Sequence, residues 1–194
     1  LNTGKIIWNY KGDRPNFYAG AGATGEGKVF IKVTNSNQLQ KMTEGFIYAL
    51  DEANGKLLWK YQTKEQITHS NPVFAEGKVF VGDESGAVYA IDATTGKLLW
   101  RQQLDASQIH SSPAYNGGVI YVGTETLDEG VRKSTKGSYM YALSAKDGKV
   151  LWQFQSDFRS YEFPNLIHGT PAVLDGTLYF GSENGWFYAL NKDN

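Results

Sequence analysis

The string Gly-Lys-x-x-Trp is written four times, ending at Trp8, Trp59, Trp100 and Trp152, at intervals of 51, 41 and 52 residues. A self-similar period in this range, with no helical spacing of apolar residues inside it, confines the chain to a stacked array of β-units, a propeller or a solenoid. One unit parses completely. Residues 72–75 read as an inner strand, Glu76-Gly77-Lys78 as a turn, and residues 79–82 as a second strand. Asp83-Glu84-Ser85-Gly86 is a hairpin turn, residues 87–92 a third strand, Thr94-Thr95-Gly96-Lys97 another turn, and residues 98–103 the outer strand. The second strand recurs as Val29-Phe30-Ile31, Ile120-Tyr121-Val122 and Leu178-Tyr179-Phe180. The third recurs as FIYAL, AVYAI, YMYAL and WFYAL, with Tyr48, Tyr89, Tyr141 and Tyr188 in register.

These strands are apolar on both faces, so both faces must be covered, yet no segment has helical periodicity to cover them. Sheet stacked on sheet answers that demand. The expected fold is therefore all-β, a β-propeller of four-stranded antiparallel blades. The 22 glycines and the 14 % aromatic content agree with many turns between short, heavily packed strands. The Ala after each repeat Tyr leaves room for close approach, and each Trp supplies a large plate whose N–H needs a partner. Blade 1 is expected over about 14–62, blade 2 over about 67–103, blade 3 over about 109–155, and blade 4 over about 167–194 closed by residues 1–10. The chain opens at Leu1 rather than Met, which reads as a processed product or a piece of a longer chain.

With 19 Lys plus Arg against 20 Asp plus Glu, and no basic run, nothing points to nucleic acid. No apolar stretch is long enough to span a membrane. The absence of Cys removes disulfides, thiolate metal sites and a cysteine nucleophile together.

Candidate ligand-binding residues come from two patterns. His69, His110 and His168 each stand three residues before the Pro of an inner strand, which sets them at equivalent places near the mouth of the central channel. There they either bind a metal, an anion when protonated, or a polar ligand, or cap the inner strand by bonding a loop carbonyl. Channel-wide separations exceed metal bond lengths of about 2 Å, so no metal site is expected. The second pattern is Arg beside aromatic rings in the variable connections: Arg14 with Tyr18, and Arg159 with Tyr161. Residues 32–45 and 124–137 lengthen two units between their second and third strands, as loops on the same face. The acidic pairs Asp51-Glu52, Asp83-Glu84 and Asp128-Glu129 all fall at turns and read as turn and solubility residues. The glycine-rich stretch at 19–27 precedes a strand rather than a helix, so it reads as the degenerate inner strand of blade 1 and not as a phosphate cradle.

The segments YALDEANGKLLW, YAIDATTGKLLW and YALSAKDGKVLW are similar to the tryptophan-docking repeat of the quinoprotein-type propellers, the pyrroloquinoline-quinone (PQQ) repeat. SSPAYNGGVIYVGT and GTPAVLDGTLYFGS resemble its front half; the likeness covers essentially the whole chain and is weakest in blade 1, where Gly22 replaces the Pro. Members usually have seven or eight blades. The resemblance therefore implies self-association of two chains, or missing chain, beside a closed four-blade ring. In members that are enzymes, the quinone stacks on Trp and is held with Ca²⁺ by carboxylate and amide oxygens, often against a disulfide of adjacent cysteines. Here the repeat tryptophans occupy docking positions and Cys is absent, so the expected cofactor is none. The expected role is a non-catalytic scaffold that binds a protein, peptide or glycan on its loop-rich face. The alternatives are a PQQ-dependent dehydrogenase or a fragment of one, and an extracytoplasmic sensor or envelope-assembly domain. The resemblance also implies a location outside the cytoplasm.

Overall fold

The computed structural model describes residues 4–12, 17–36, 42–126, 138–157 and 165–193, with side chains described at 4–12, 19–35, 44–126, 138–157 and 165–193. Among these residues the chain forms fifteen strands and no helix. Blade 1 is β1 (Phe17–Gly25), β2 (Lys28–Ser36), β3 (Met42–Asp51) and β4 (Leu57–Gln62). Blade 2 is β5 (Val73–Ala75), β6 (Lys78–Gly82), β7 (Ala87–Asp92) and β8 (Leu98–Gln103). Blade 3 is β9 (Ala114–Asn116), β10 (Val119–Gly123), β11 (Tyr139–Ser144) and β12 (Val150–Gln155). Blade 4 is β13 (Ala172–Leu174), β14 (Thr177–Gly181) and β15 (Phe187–Asn191). Each sheet is antiparallel in simple chain order. The inner strands β1, β5, β9 and β13 follow one another side by side. The all-β propeller architecture is thus observed.

The register explains the repeat. Phe30 pairs with Ala49 and Ala49 with Trp59; Phe80, Ala90 and Trp100 repeat that row, as do Tyr121, Ala142 and Trp152. Residues directly opposite share a face of the sheet. The small Ala therefore lies beneath two large rings that meet above it, with centroids 5.8, 5.8 and 5.9 Å apart. Each indole then reaches the next blade. Trp59 donates to the Ala93 carbonyl (3.1 Å), Trp100 to Ala145 (3.3 Å) and Trp152 to Lys192 (3.1 Å). The Trp59 ring lies where a Cβ on Gly96 (φ +71°) would come within 2.7 Å, and Trp100 stands likewise over Gly148. The repeat tyrosines add a second staple. Tyr89 accepts from the Lys64 amide (3.1 Å), and Tyr188 from the Asp157 amide (3.2 Å), in the segments that lead from one blade to the next.

Two expectations about blade boundaries change. Residues 4–12 carry no strand, so among the described residues blade 4 has three strands rather than a fourth supplied by the N-terminus. The segment is held on blade 1 instead: Trp8 donates to the Glu52 carbonyl (2.8 Å), its ring covers Gly55, and Tyr10 meets Tyr48 edge to face at 6.3 Å. Phe187 on β15 and Ile7 are consequently 72 % and 89 % exposed, where the matching strand β7 is buried. Second, much of the span 32–45 is not loop. It extends β2 and β3 into a long hairpin paired from Lys28↔Asp51 out to Ser36↔Met42, with one register shift between Asn35 and Ser36.

Candidate functional site

The segments that enter blades 2, 3 and 4 each carry a fully buried isoleucine, Ile67, Ile109 and Ile167. Ile109 packs onto Gly82 and Ile167 onto Gly123, where any Cβ would come within 2.4 Å of the isoleucine side chain. The same segments are tied to the hairpins after the second strands. The Ile109 amide donates to the Asp83 carbonyl (3.1 Å), Ile167 to Thr124 (3.3 Å) and Glu183 to Leu166 (2.9 Å). The residue after the histidine completes the attachment. Ser70 Oγ accepts from the Gly82 amide (3.1 Å), and Ser111 Oγ accepts from Gly123 (2.8 Å) while donating to the carbonyl of Gly123 (2.9 Å). In blades 2 and 3 serine, not histidine, caps the inner strand; blade 4 has Gly169 at that position. The imidazoles are left to project toward the axis.

They meet there. The ring centroids of His69 and His110 are 4.3 Å apart, those of His110 and His168 5.1 Å, and those of His69 and His168 6.4 Å. The expectation that channel width would keep the three apart is not met, because the inner strands converge at this end. Three carboxylates join them. Glu84 Oε2 lies 3.0 Å from His110 Nε2, Glu125 Oε1 lies 2.6 Å from His110 Nδ1 and contacts His168 Nε2, and Glu183 Oε1 lies 3.6 Å from His168 Nδ1. Thr68 donates to Glu84 through its hydroxyl and through its amide (3.3 Å), and its hydroxyl also bonds His69 Nδ1 (2.9 Å). Gln108 donates to Glu125 Oε2. Glu125 is 1 % exposed, so a buried carboxylate floors the site while His69 and His168 open it to solvent.

Blade 1 departs from the pattern and supplies a cation. Lys32 stands where the other blades have Gly82, Gly123 and Gly181, and its stem crosses Gly20, where a Cβ would overlap it at 2.1 Å. Its Nζ donates to the Thr68 carbonyl at 2.6 Å. Burial lowers the Lys32 pKa, opposed by the charge of Glu84. Burial, then the charge of His110, holds His69 below its ordinary value, with Lys32 adding to the same direction. His110 responds oppositely. Burial disfavours its charge, but its hydrogen bonds to Glu125 and Glu84 outweigh that and lift it to about 9. For Glu84, burial is likewise outweighed, by bonds from His110 and Thr68, and its carboxyl falls below the usual range.

Of the residues expected at a site, the three histidines converge. Arg14, Arg159 and Tyr161 lie outside the described residues, as does the side chain of Tyr18. The glutamates were missed. Glu84 reads as a turn residue, and the turn chemistry belongs to its neighbour. Asp83, fully buried, accepts from the Ser85 and Ala87 amides (2.9 and 3.1 Å) and from the Tyr89 hydroxyl (2.7 Å). A signal was available, since Glu84, Glu125 and Glu183 each follow their histidine by the same fifteen residues.

Comparison with known proteins agrees with the architecture. The sequence profile of the PQQ-repeat family described as outer membrane protein assembly factor BamB matches residues 43–194. The chain belongs to that family. No curated protein matches it. Among solved structures, it is similar to BamB from Moraxella catarrhalis at 19 % identity and a TM-score of 0.69, covering 97 % of this chain and 50 % of that one. It is similar to the quinohemoprotein alcohol dehydrogenase ADHIIG of Pseudomonas putida HK5 at 21 % identity and a TM-score of 0.71, covering 98 % and 34 %. The computationally designed protein Ika4 is similar at 15 % identity and 0.67, covering 97 % and 99 %. The chain therefore spans about half the length of that BamB and a third of that dehydrogenase. At these identities the likeness is one of fold.

Proposed function

We propose that this propeller is a non-catalytic binding module, which holds a partner protein, peptide or glycan on the face that carries its histidines and its variable connections. The observation that carries the reading is the cluster at the channel mouth. Three imidazoles with centroids 4.3–6.4 Å apart, paired with Glu84 and Glu125, stand where a dehydrogenase needs a flat slot for its quinone. The residues do not fit PQQ with Ca²⁺. Trp59, Trp100 and Trp152 spend their rings on docking blade to blade, Trp8 docks the N-terminal segment on blade 1, and Ca²⁺ prefers a shell of oxygens to imidazole nitrogens. The family's description as an outer membrane protein assembly factor favours a protein among the possible partners and a setting outside the cytoplasm. No helix among the described residues is long and apolar enough to cross a membrane.

Two experiments test this. Titration with PQQ and Ca²⁺ should give neither a bound-quinone absorbance band nor dye-linked alcohol oxidation, and either signal refutes the non-catalytic reading. Photo-crosslinking from the variable connections should capture a partner whose yield drops at least tenfold in the double variant Arg14→Ala, Arg159→Ala. Full capture by that variant removes this face from consideration.

A further inference from the structure

The buried half of the histidine–glutamate cluster has more order than an ion-pair network requires. We propose that His110 Nδ1, Glu125 Oε1 and His168 Nε2 form a binding site for one divalent transition-metal ion of the zinc class. The three atoms converge on one point. Glu125 Oε1 is 2.6 Å from His110 Nδ1 and touches His168 Nε2. His110 Nδ1 and Glu125 Oε1 are both buried, and their only polar contact at that point is each other and His168, in a geometry outside that of a regular hydrogen bond. A buried carboxylate facing two imidazole nitrogens needs a positive charge between them, and a metal ion supplies it in place of the proton. Two imidazoles and one carboxylate are a donor set that zinc takes in open sites, with a fourth position left for water or a ligand. The exposed side of His168 would give that position to solvent.

The outer partners make the same case independently. A ligating histidine normally gives its other nitrogen to a carboxylate or carbonyl, which fixes the ring and raises its basicity. Here the second nitrogen of His110 faces Glu84 Oε2 at 3.0 Å, and that of His168 faces Glu183 Oε1 at 3.6 Å. The second oxygen of Glu125 accepts from Gln108. The far atoms of His110 and Glu125 are thus anchored, and that of His168 lies near a carboxylate. Tetrahedral ligands about 2 Å from an ion stand about 3.3 Å apart, so binding spreads these contacts by several tenths of an ångström. A second triad, His69, Glu84 and His110, also has its donor atoms mutually within 4.8 Å. It is the weaker candidate, because Glu84 already accepts from Thr68 and His69 Nδ1 bonds the Thr68 hydroxyl.

The test is calorimetry of untagged, chelator-stripped protein with Zn²⁺, paired with Co²⁺ absorption. One Zn²⁺ per chain is expected, with ligand-field bands of a four- or five-coordinate Co²⁺ bearing nitrogen ligands. His168→Ala, at an exposed position that leaves the fold intact, should weaken Zn²⁺ at least tenfold and abolish the Co²⁺ bands, and Glu125→Gln should do the same. Glu84→Gln should weaken it about tenfold or more, as removal of an outer partner does. His69→Ala should leave the Co²⁺ spectrum unchanged. Absence of stoichiometric Zn²⁺ binding in the wild-type protein overturns the proposal. So does a Co²⁺ spectrum that survives His168→Ala but vanishes in His69→Ala, which would move the ion to the other triad.

Discussion

Gly27 and Gly96 offer a controlled measurement of what docks one blade to the next. Both have nearly the same left-handed backbone, φ +69° and +71°. A Cβ on Gly27 meets nothing within 4 Å, whereas one on Gly96 meets the Trp59 ring at 2.7–2.9 Å. Alanine at either site costs about 1–2 kcal/mol for the left-handed conformation of an L-residue. At Gly96 the indole must also withdraw by about 1 Å, an overpacking cost of about 1–3 kcal/mol. That movement weakens the Trp59–Ala93 hydrogen bond (3.1 Å), worth about 0.5–1.5 kcal/mol. Gly96→Ala should therefore be less stable than Gly27→Ala by about 2–4 kcal/mol. Urea unfolding followed by both circular dichroism and tryptophan fluorescence reads the difference, provided the two probes coincide. Equal losses in the two variants would mean that the indole is not a packed anchor, and the docking account of the repeat would be wrong.

Two further outcomes follow from the charges. Tyr89 and Tyr141 are buried and pushed up to about 12, and Tyr89 is pushed further by its bond to Asp83. Their folded pKa lies above the unfolded value of about 10, so the stability they contribute is whole below pH about 10 and lost as pH rises toward 12. Phenolate absorbance should show them ionising only near pH 12 or together with loss of circular dichroism. Ionisation with the other tyrosines near 10, in folded protein, contradicts this. Separately, Lys32→Met keeps the stem that crosses Gly20 but removes a charge that depresses His69. The His69 ring-proton titration in NMR should move upward, and an unmoved or lower value refutes the placement of that charge.

What was legible in the sequence is what a single strand must satisfy by itself. Trp59, Ala90 and Tyr89 recur because each blade repeats the same aromatic–alanine–indole row, so their roles could be read from one unit and copied. The site belongs to relations between units. Glu84 bonds the histidine of the next blade and the threonine of its own, and nothing within its local turn distinguishes it from a solubility residue. The long hairpin of blade 1 escaped for a related reason: residues 32–45 are polar enough to read as loop, and only pairing with the partner strand makes them sheet. Residues 4–8 misled differently. Their sequence is that of an outer strand, but the Trp8 indole docks them on blade 1.

Repetition in such a chain cannot by itself separate structure from function, since a packing residue and a ligand residue are copied alike. Accounting for bonds can. The repeat Trp rings are consumed by the turns of the next blade, Tyr89 and Tyr188 by the amides of incoming segments, and Ser70 and Ser111 by the glycines of their own second strands. Removing the histidines and glutamates from that tally leaves each described blade held as before. They recur in three blades, are absent from the fourth, and bond chiefly to one another across the axis. In blade 1 the same two positions hold Ala19 and Thr34, and Lys32 reaches the site instead. The serine cap is itself lost in blade 4, where Gly169 follows His168, while the histidine stays and bonds across the axis. The asymmetry of three histidines and one lysine is thus the feature that a purely structural origin explains least well.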